Sequence, residues 1–356
     1  MDKQLVLVGV DPGFGGFKAA CVNVTASEAK QTESGVQVAV VPSVVGAGRA
    51  DLGLLSAGDL TRRPRILPDQ VTFGETEYLV GEAVFRYARP IQRMDFLRLS
   101  DGPEPRALFY ATLFRLLGPG EHTLAAMVGL PVEVMADRER ALETLGGLRR
   151  WMVGEHRFAV NGEEVRLEVT AVRAMAQPAG AFFAWGLDNG GRWARSRADL
   201  QAPVAVCDIG FNTLDLFAVE GGEVVGRFTG GDTAGIRRAA EMLIQGVRDR
   251  HRLSLSLPEA DGLLRGQELQ RVVAGERVDL RPLVRQALEN TASEVVTFIE
   301  SRWGNGRQFA HLLFVGGGAA LLREVLLRQY PHGVVLPDPV TANAVGLARY
   351  AVRALR

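Results

Sequence analysis

The chain has 356 residues, of which 47% are hydrophobic and 23% are charged, and its formal net charge is zero at pH 7. This length is too great for one small core and predicts two domains of ordinary size. Zero net charge excludes a strong overall basic field that would attract nucleic acid, although it permits self-association. No run of about 18 uninterrupted apolar residues occurs, so we expect no membrane span.

The cellular compartment is predicted from the cysteines and the N-terminus. Cys21 and Cys207 are the two cysteines of the chain, and both lie in apolar, strand-like runs. Because disulfide scaffolds are short and rich in cysteine, we expect buried free thiols in a reducing cytoplasm. The first residues form a short apolar run that ends at Asp11 and lack the plan of a signal peptide. These features predict a cytoplasmic protein.

The first half of the chain is predicted to alternate short buried strands with glycine-rich turns. An apolar run rich in valine predicts a strand over 5–10, and the turn over 11–16 holds one proline and three glycines. Further strands are predicted over 17–24 and 36–41, followed by an irregular loop over 46–69. The remaining predicted elements are a strand pair over 71–80, a short helix over 81–87, a helix over 106–117, a strand over 124–130, a helix over 137–151 and a hairpin of strands 157–160 and 165–172 around Asn161-Gly162.

The second half of the chain repeats this order of elements. A turn over 208–213 lies between strands over 204–207 and 214–219, and a third strand is predicted over 224–228. Because the aspartates that open the two equivalent turns are about one domain's length apart, we interpret the repeat as a duplicated domain and not as a solenoid. The remaining predicted elements are a helix over 236–252, a longer helix within 279–303, a strand over 311–315, a helix over 319–329 and a terminal helix over 341–355.

The first candidate site is the turn that begins at Asp11. Its glycines let the backbone approach a ligand and present N–H groups to an anion, and Lys18 supplies a charge for a phosphate. Asp11 ends a strand, where it would hold Mg²⁺ through water. The pattern is neither a P-loop nor a Rossmann loop, because a strand follows the glycines, and taken alone it is equally well an ordinary hairpin turn. The predicted ligand contacts are Gly13, Phe14, Gly15, Gly16 and Lys18.

The second candidate site is the turn that begins at Asp208, and it has the same Asp-x-Gly start. Asn212 and Thr213 add side-chain donors for a phosphate oxygen. Asp215 either accepts hydrogen bonds from the loop backbone or is structural. Two such turns in equivalent places of a repeated unit favour a phosphate site over two unrelated hairpin turns. The predicted ligand contacts are Gly210, Phe211, Asn212 and Thr213.

Three further segments complete the predicted site. Gly316, Gly317 and Gly318 form a turn between a strand and a helix, which leaves room for a base and ribose against bare backbone. Gly231 and Asp232 lie in a turn before a helix, whose N–H groups would meet phosphate or ribose, although a plain N-terminal cap is the alternative. Gln177 follows the last strand of the first half, where a glutamine beside a γ-phosphate can orient an attacking water. A polar residue before a proline turn is the alternative for Gln177.

With these residues in hand, the chain resembles the superfamily of actin, DnaK-type chaperones and sugar kinases. Within it, the chain is most similar to the bacterial and archaeal actin-like proteins of the ParM/Alp group. The segment from Asp11 to Lys18 is similar to the first phosphate loop, and that from Asp208 to Asp215 to the second. The adenosine motif is matched by Gly316 to Ala319, and the place of the water-positioning residue by Gln177. Two more segments that look like this group are Gly129–Val132 and Ala342–Gly346.

The resemblance implies a fold and a ligand. The expected fold is α/β and actin-like: a duplicated ribonuclease H-like pair of domains, each on a mixed five-stranded sheet, with a nucleotide cleft between them. Domain I is expected over 1–175 and is completed by the helix 341–356, and domain II over 176–340. The implied cofactors are ATP or ADP and Mg²⁺. The implied catalytic residues are Gln177, Asp11 and Asp208, of which the two aspartates anchor the metal.

The resemblance also implies an activity and partners. The expected function is an ATPase that polymerises into filaments whose stability hydrolysis regulates, for segregation of plasmid DNA or a related cytoskeletal role. The expected partners are further copies of the chain and a DNA-binding adaptor protein, with no direct contact to nucleic acid or membrane. Two other functions stay open: a small-molecule kinase, which needs an acidic base beside the γ-phosphate, and a nucleotide-switched scaffold for division or pilus assembly. A DnaK-type chaperone would need a substrate-binding domain after the ATPase.

Overall fold

The computed structural model describes residues 4–22, 30–31, 35–49, 67–91, 102–233 and 235–355. The chain divides into two compact units. The first unit comprises Met1–Leu130, Val134–Ala194 and Asn343–Arg356, and the second Pro131–Glu133 and Arg195–Ala342. Most of the predicted irregular loop over 46–69 lies outside the described residues.

The described strands of the first unit form a mixed sheet of ten strands. The order across the sheet is β3-β4-β2-β1-β8-β10-β9-β6-β7-β5. The strands are β1 (Leu5–Pro12), β2 (Phe17–Cys21), β3 (Lys30–Gln31), β4 (Gln37–Val41), β5 (Val45–Ala47), β6 (Asp69–Phe73), β7 (Thr76–Val80), β8 (Gly120–Leu130), β9 (Gly154–Val160) and β10 (Glu163–Ala176).

Five of these strands form the core predicted from the resemblance. The central strand β1 is antiparallel to β2 and parallel to β8, and β8 is parallel to β10. Strand β4 continues the sheet beyond β2 in antiparallel pairing. The near-continuous apolar sequence of β1 and β8 is typical of central strands that are covered on both faces. Beyond β10 the sheet extends through β9, β6, β7 and β5, so it is larger than the five strands that we expected.

Helices and tight turns of the first unit follow local signals in the sequence. The hairpin between β9 and β10 turns at Asn161 and Gly162, whose φ angles of 53° and 85° are those of the predicted Asn-Gly turn. Asp137 caps a helix by accepting a hydrogen bond from the Arg140 N–H group at 3.0 Å. The described helices that begin in this part of the chain are α1 (Pro103–Leu117), α2 (Val132–Ala136), α3 (Arg138–Met152) and α4 (Gln177–Gly186).

The second unit repeats the core arrangement of the first. Strand β11 is antiparallel to β12 and parallel to β17, and β17 is parallel to β18. Both β13 and β14 pair with β12 in antiparallel fashion. The predicted duplication of the domain is therefore confirmed at the level of strand order and direction. The strands are β11 (Val204–Ile209), β12 (Leu214–Glu220), β13 (Glu223–Val224), β14 (Gly230–Asp232), β15 (Gln270–Val273), β16 (Glu276–Asp279), β17 (His311–Val315) and β18 (Gly333–Val335).

The helices of the second unit pack an apolar core against this sheet. That core contains buried side chains of α6 and α8, among them Leu243, Val295 and Ile299, together with Phe314 from β17. A separate two-stranded hairpin is formed by β15 and β16. The helices are α5 (Arg197–Gln201), α6 (Arg237–His251), α7 (Leu257–Leu264), α8 (Arg281–Trp303), α9 (Gly316–Leu321) and α10 (Arg323–Gln329).

The last helix, α11 (Ala342–Ala354), packs on the first unit at very short range. A Cβ atom at Gly346 would overlap the carbonyl oxygen of Gly180 on α4, and one at Gly180 would overlap the backbone of Asn343. These contacts place α4 in the first unit, whereas the sequence placed it in the second domain. The limits of the compact units thus differ from the predicted boundary between residues 175 and 176.

One predicted strand of the second half is wrong over most of its length. Of the predicted strand over 224–228, only Val224 lies in a strand, at the end of β13 (Glu223–Val224), because a 3₁₀ turn follows over Gly226–Phe228. The ring of Phe228 packs on Phe309 with 5.2 Å between centroids, and its carbonyl accepts the Trp303 indole N–H at 2.8 Å. This packing turns the chain away from β12.

The chemistry of the cysteines agrees with the prediction, since Cys21 and Cys207 are both free and buried. Burial raises the pKa of the Cys21 thiol to about 12. It also raises the pKa of the Cys207 thiol, to which the nearby carboxylates of Asp208 and Asp215 add. Both groups are therefore neutral thiols at physiological pH. Among the described residues, no helix has the length and apolar character needed to span a membrane.

Candidate functional site

The first candidate loop joins β1 and β2, and its two charged residues face each other across the hairpin. Asp11 and Lys18 are register partners in the antiparallel pair. The Lys18 Nζ atom donates to the Asp11 Oδ2 atom at 2.9 Å. Asp11 is fully buried, and the Lys18 side chain is 14% exposed. Asp11 and Pro12 belong to β1 and not to the turn, so the carboxylate is fixed by strand pairing.

Gln177 completes this cluster from a distant part of the chain. It is buried and is the first residue of α4, and its Nε2 atom donates to the Asp11 Oδ1 atom at 2.7 Å. A Cβ atom at Gly129 would lie 3.2 Å from the Gln177 Cα atom, so this glycine makes room for the start of α4. Both carboxylate oxygens of Asp11 thus accept hydrogen bonds, one from Gln177 and one from Lys18. The structure brings all three predicted residues together.

The backbone of the first loop is held by a residue that the sequence did not reveal. The Ser43 hydroxyl donates to the Gly13 carbonyl oxygen at 2.6 Å. A Cβ atom at Gly13 would lie 2.9 Å from the Gly16 carbonyl oxygen and 3.0 Å from Lys18 Nζ, so no side chain fits there. In the described part of the chain, the N–H groups of Gly15 and Gly16 meet no acceptor. Such N–H groups in a glycine turn are suited to an anion.

The second candidate loop, between β11 and β12, has the same register but different charges. Asp208 pairs with Asp215, at the position that corresponds to Lys18. Burial, and next the Asp208 carboxylate, raise the pKa of Asp215 to about 7, although the Thr213 hydroxyl and the Val132 N–H group donate to it and oppose the shift. Asp215, whose role the sequence left open, is therefore a buried carboxyl that holds a proton far above its ordinary range.

The backbone of the second loop is tied to the start of α6. The carbonyl oxygens of Gly210 and Phe211 accept from the N–H groups of Ile236 at 3.2 Å and Arg237 at 2.8 Å. Two carbonyl oxygens of the loop are therefore already engaged as hydrogen-bond acceptors. Within the described ranges, the N–H groups of Phe211, Asn212 and Thr213 donate to no acceptor, as do those of the first loop. Equivalent hairpins thus present N–H groups at both predicted phosphate loops.

The sequence predicted that Gly231 and Asp232 lie in a turn directly before a helix, and this prediction is wrong. They lie in β14, where Gly231 is the register partner of Asp215, and α6 begins only at Arg237. A Cβ atom at Gly231 would lie 2.8 Å from the Asp215 Oδ1 atom, so this glycine leaves room for the buried carboxyl. The Asp232 Oδ1 atom accepts from the Thr233 N–H group at 2.6 Å. A ligand contact at Gly231 and Asp232 stays a prediction.

The three glycines after β17 form the first turn of α9, not a turn before a helix. Gly316 has a φ angle of 89°, and a Cβ atom there would lie 2.5 Å from the Asp208 Oδ1 atom. A side chain on Gly318 would overlap Ile209. The adenosine motif predicted from the resemblance therefore lies directly against the strand that carries Asp208, within one unit.

The donor set fits a hydrated magnesium ion better than a metal bound only by protein. Among the described residues, no group of three or more His, Cys, Asp or Glu side chains could hold a metal ion. Mg²⁺ keeps several waters and is commonly held by one or two carboxylates together with substrate phosphates. Buried atoms at the second loop, Asn212 Oδ1 and Asp215 Oδ2, accept no hydrogen bond. Such oxygens are suited to accept hydrogen bonds from the waters of a hydrated ion, and a metal contact at Asp11 or Asp208 stays a prediction.

The fold is that of the actin-like class of proteins: two similar α/β units, each with a turn that begins at an aspartate in its central hairpin. Residues 9–180 match the family model of the actin-like proteins' N-terminal domain. Residues 206–328 match the model of the C-terminal domain of the MreB-like archaeal actin homologues. The chain belongs to the actin-like proteins. A comparison with curated proteins finds no match.

Solved structures of actin-like proteins have the same fold over nearly the whole chain. A non-polymerisable quadruple mutant of pCBH ParM is 18% identical, with a TM-score of 0.75 over 98% of this chain and 100% of that chain. ParM in a 15-stranded filament from Clostridium botulinum is 18% identical, with a TM-score of 0.73 over 99% and 100%. The archaeal actin homologue Ta0583 in complex with ADP is 19% identical, with a TM-score of 0.71 over 98% and 100%.

Proposed function

We propose that this actin-like protein is an ATPase that binds Mg–ATP and polymerises into filaments. The observation that carries the proposal is the hydrogen-bonded cluster of Asp11, Lys18 and Gln177, repeated in outline by the second hairpin at Asp208. A fully buried carboxylate that holds both a lysine and a glutamine is arranged for phosphoryl chemistry, and a hairpin turn alone would not need it. The ADP complex of Ta0583 supports a nucleotide as ligand.

The chain's own groups would divide the work of hydrolysis. Lys18 and the N–H groups of both loops would bind the phosphates and stabilise the charge that develops during transfer. Gln177 would orient the attacking water through its amide, since it is too weak a base to remove a proton. Asp11 fixes the orientation of Gln177 and Lys18. When bound, Mg²⁺ would neutralise part of the negative charge of the phosphates. The predicted contacts at Gly231, Asp232 and the glycines after β17 would complete the nucleotide site.

Self-assembly is the second part of the proposal. Filaments of ParM and of Alp12 are among the solved structures with this fold. A chain with zero net charge has no long-range repulsion between copies, which favours assembly. We further propose a cytoplasmic role in DNA segregation or a related cytoskeletal task, through an adaptor protein that binds the DNA.

One titration tests both parts of the proposal. Phosphate release from Mg–ATP and light scattering are measured on the same samples across protein concentration, with electron microscopy in the presence of a non-hydrolysable ATP analogue. We expect turnover per molecule to rise where scattering appears. Asp208→Ala should abolish turnover, whereas Asp249→Ala, an exposed residue of α6, should retain the parent rate.

The outcomes separate the competing functions. Equal turnover in Asp208→Ala and the parent would contradict the assignment of Asp208 to the nucleotide site. If turnover per molecule does not change at the protein concentration where light scattering appears, hydrolysis is not coupled to assembly. ATP binding with no scattering and no filaments would point to a kinase or a switched scaffold instead.

A further inference from the structure

The three positions at the start of α9 differ in how strictly the structure requires glycine. Gly316 is required by its positive φ angle of 89° and by its contact with Ile209 and Asp208. At Gly318, a Cβ atom would overlap Ile209 and come within 2.8 Å of Ile236. Gly317 has neither constraint. Its φ angle is not positive, and the three atoms nearest to a Cβ atom there all belong to the Arg265 side chain.

Arg265 lies directly over this bare position. A Cβ atom on Gly317 would lie 3.4 Å from Arg265 Nη2 and 3.5 Å from Nη1, so the guanidinium covers the glycine at van der Waals distance. The Arg265 side chain is 36% exposed. Gly317 is itself only half-buried. One side of the guanidinium therefore lies against the bare backbone of Gly317, and part of the Arg265 side chain reaches solvent.

The guanidinium is fixed by one carboxylate and retains unused donors. Arg265 follows the last residue of α7, and its Nε and Nη2 atoms donate to the two oxygens of Asp261 at 2.8 and 3.1 Å. In the described part of the chain, Nη1 donates to no acceptor. A bidentate pair of this kind holds the plane of the guanidinium in one orientation.

We propose that Arg265 is the base-stacking residue of the nucleotide site, with Asp261 as its positioning residue and Gly317 as the bare backbone position against which one side of the guanidinium rests. The inference rests on the proposed function, because it assigns a residue to the nucleoside end of that site. A guanidinium stacks on a flat π system and attracts it as a cation. Such stacking does not read the hydrogen-bonding edge of the base. Arg265 therefore contributes equally to adenine and guanine nucleotides.

Calorimetric titration of the whole chain with Mg²⁺ and ADP, GDP or inorganic pyrophosphate tests the proposal. Below the concentration at which scattering appears, Arg265→Ala should bind ADP and GDP about 3- to 30-fold more weakly, the range of a cation–π contact. Pyrophosphate has no base, so its affinity should not change. Arg265→Lys keeps the charge but not the plane and should lose at least part of the affinity for both nucleotides.

A second variant and a control separate stacking from charge and from misfolding. Gly317→Ala should fold and bind all three ligands nearly as the parent does, because its Cβ would lie at ordinary contact distance, 3.4 to 3.5 Å, from one side of the guanidinium and would leave the opposite side open to a base. Arg281→Ala removes a comparable Arg–Asp pair, whose Nε–Oδ1 distance to Asp279 is 2.9 Å, and should bind all three ligands as the parent does. Circular dichroism verifies that each variant is folded.

Three results would overturn the assignment of Arg265. They are unchanged nucleotide affinity in Arg265→Ala, an equal loss for pyrophosphate, and a loss confined to one purine, which would mean contact with a base edge. Failure of the parent chain to bind any of the three ligands would instead contradict the proposed function.

Discussion

Replacement of Asp215 by Asn should remove a pH dependence of stability from the second unit. The pKa of Asp215 rises from 3.8 to about 7 on folding, because the group is buried beside Asp208. Since the folded state holds the proton more tightly, this group's contribution to stability is complete below about pH 4 and is lost as the pH rises to about 7. Each pKa unit corresponds to about 1.4 kcal/mol, so the parent should lose about 3 kcal/mol between pH 5 and pH 8.5.

An asparagine resembles the protonated carboxyl in shape and charge, and its oxygen can still accept from Thr213 and Val132. Asp215→Asn should therefore unfold at nearly the parent's urea midpoint at pH 5 and at a clearly higher midpoint at pH 8.5. The assay is urea unfolding followed by circular dichroism at several pH values, with a chelator and no nucleotide. Asp249→Asn, on the exposed face of α6, serves as the control. A constant difference between Asp215→Asn and parent across this pH range would refute the reasoning.

Three further predictions concern the first unit. Lys18 is one of only three lysines in the chain, so mass spectrometry after amine labelling should show that Mg–ATP protects Lys18 and not the other two; uniform labelling would contradict a phosphate contact. Gln177→Ala should bind ATP as the parent does but release phosphate at least about 10-fold more slowly in single-turnover assays. An unchanged rate would contradict the proposal that Gln177 orients the attacking water. Gly346→Ala should cost about 3 kcal/mol or more in denaturant unfolding, because its Cβ overlaps α4, whereas Gly146→Ala, whose Cβ meets only Arg150 Nη1 at 3.6 Å, should be neutral or slightly stabilising.

The parts of the site that could be predicted are pairs of residues that lie close together in the sequence, within one hairpin. Asp11 and Lys18 come together because a short turn fixes the register of one hairpin. The same holds for Asp208 and Asp215. Apolar runs and glycine turns show such hairpins directly, since strand pairing across a tight turn depends on adjacent residues.

The parts that could not be predicted depend on contacts between distant segments. Ser43 holds the Gly13 carbonyl from 30 residues away, and a serine that donates to a main-chain carbonyl has no pattern of its own. Gly230–Asp232 resembles a turn before a helix, but pairing with β12 makes it a strand. In the same way, α4 carries no signal for the unit that it joins, because Gly180 and Gly346 meet only in the folded chain.

The register partner of the loop aspartate is a lysine in the first hairpin and an aspartate in the second, and this difference indicates different roles for the two hairpins. Lys18 donates to Asp11 at 2.9 Å, so the first hairpin pairs its buried carboxyl group with a cationic side chain and holds Gln177 beside it. Asp215 carries no positive charge to pair with Asp208, and its own pKa is raised to about 7, first by burial and next by repulsion from the Asp208 carboxylate. A bound cation would relieve that repulsion and release the proton. The second hairpin is therefore the half whose protonation should respond to Mg²⁺ and nucleotide, whereas the first is already organised without them.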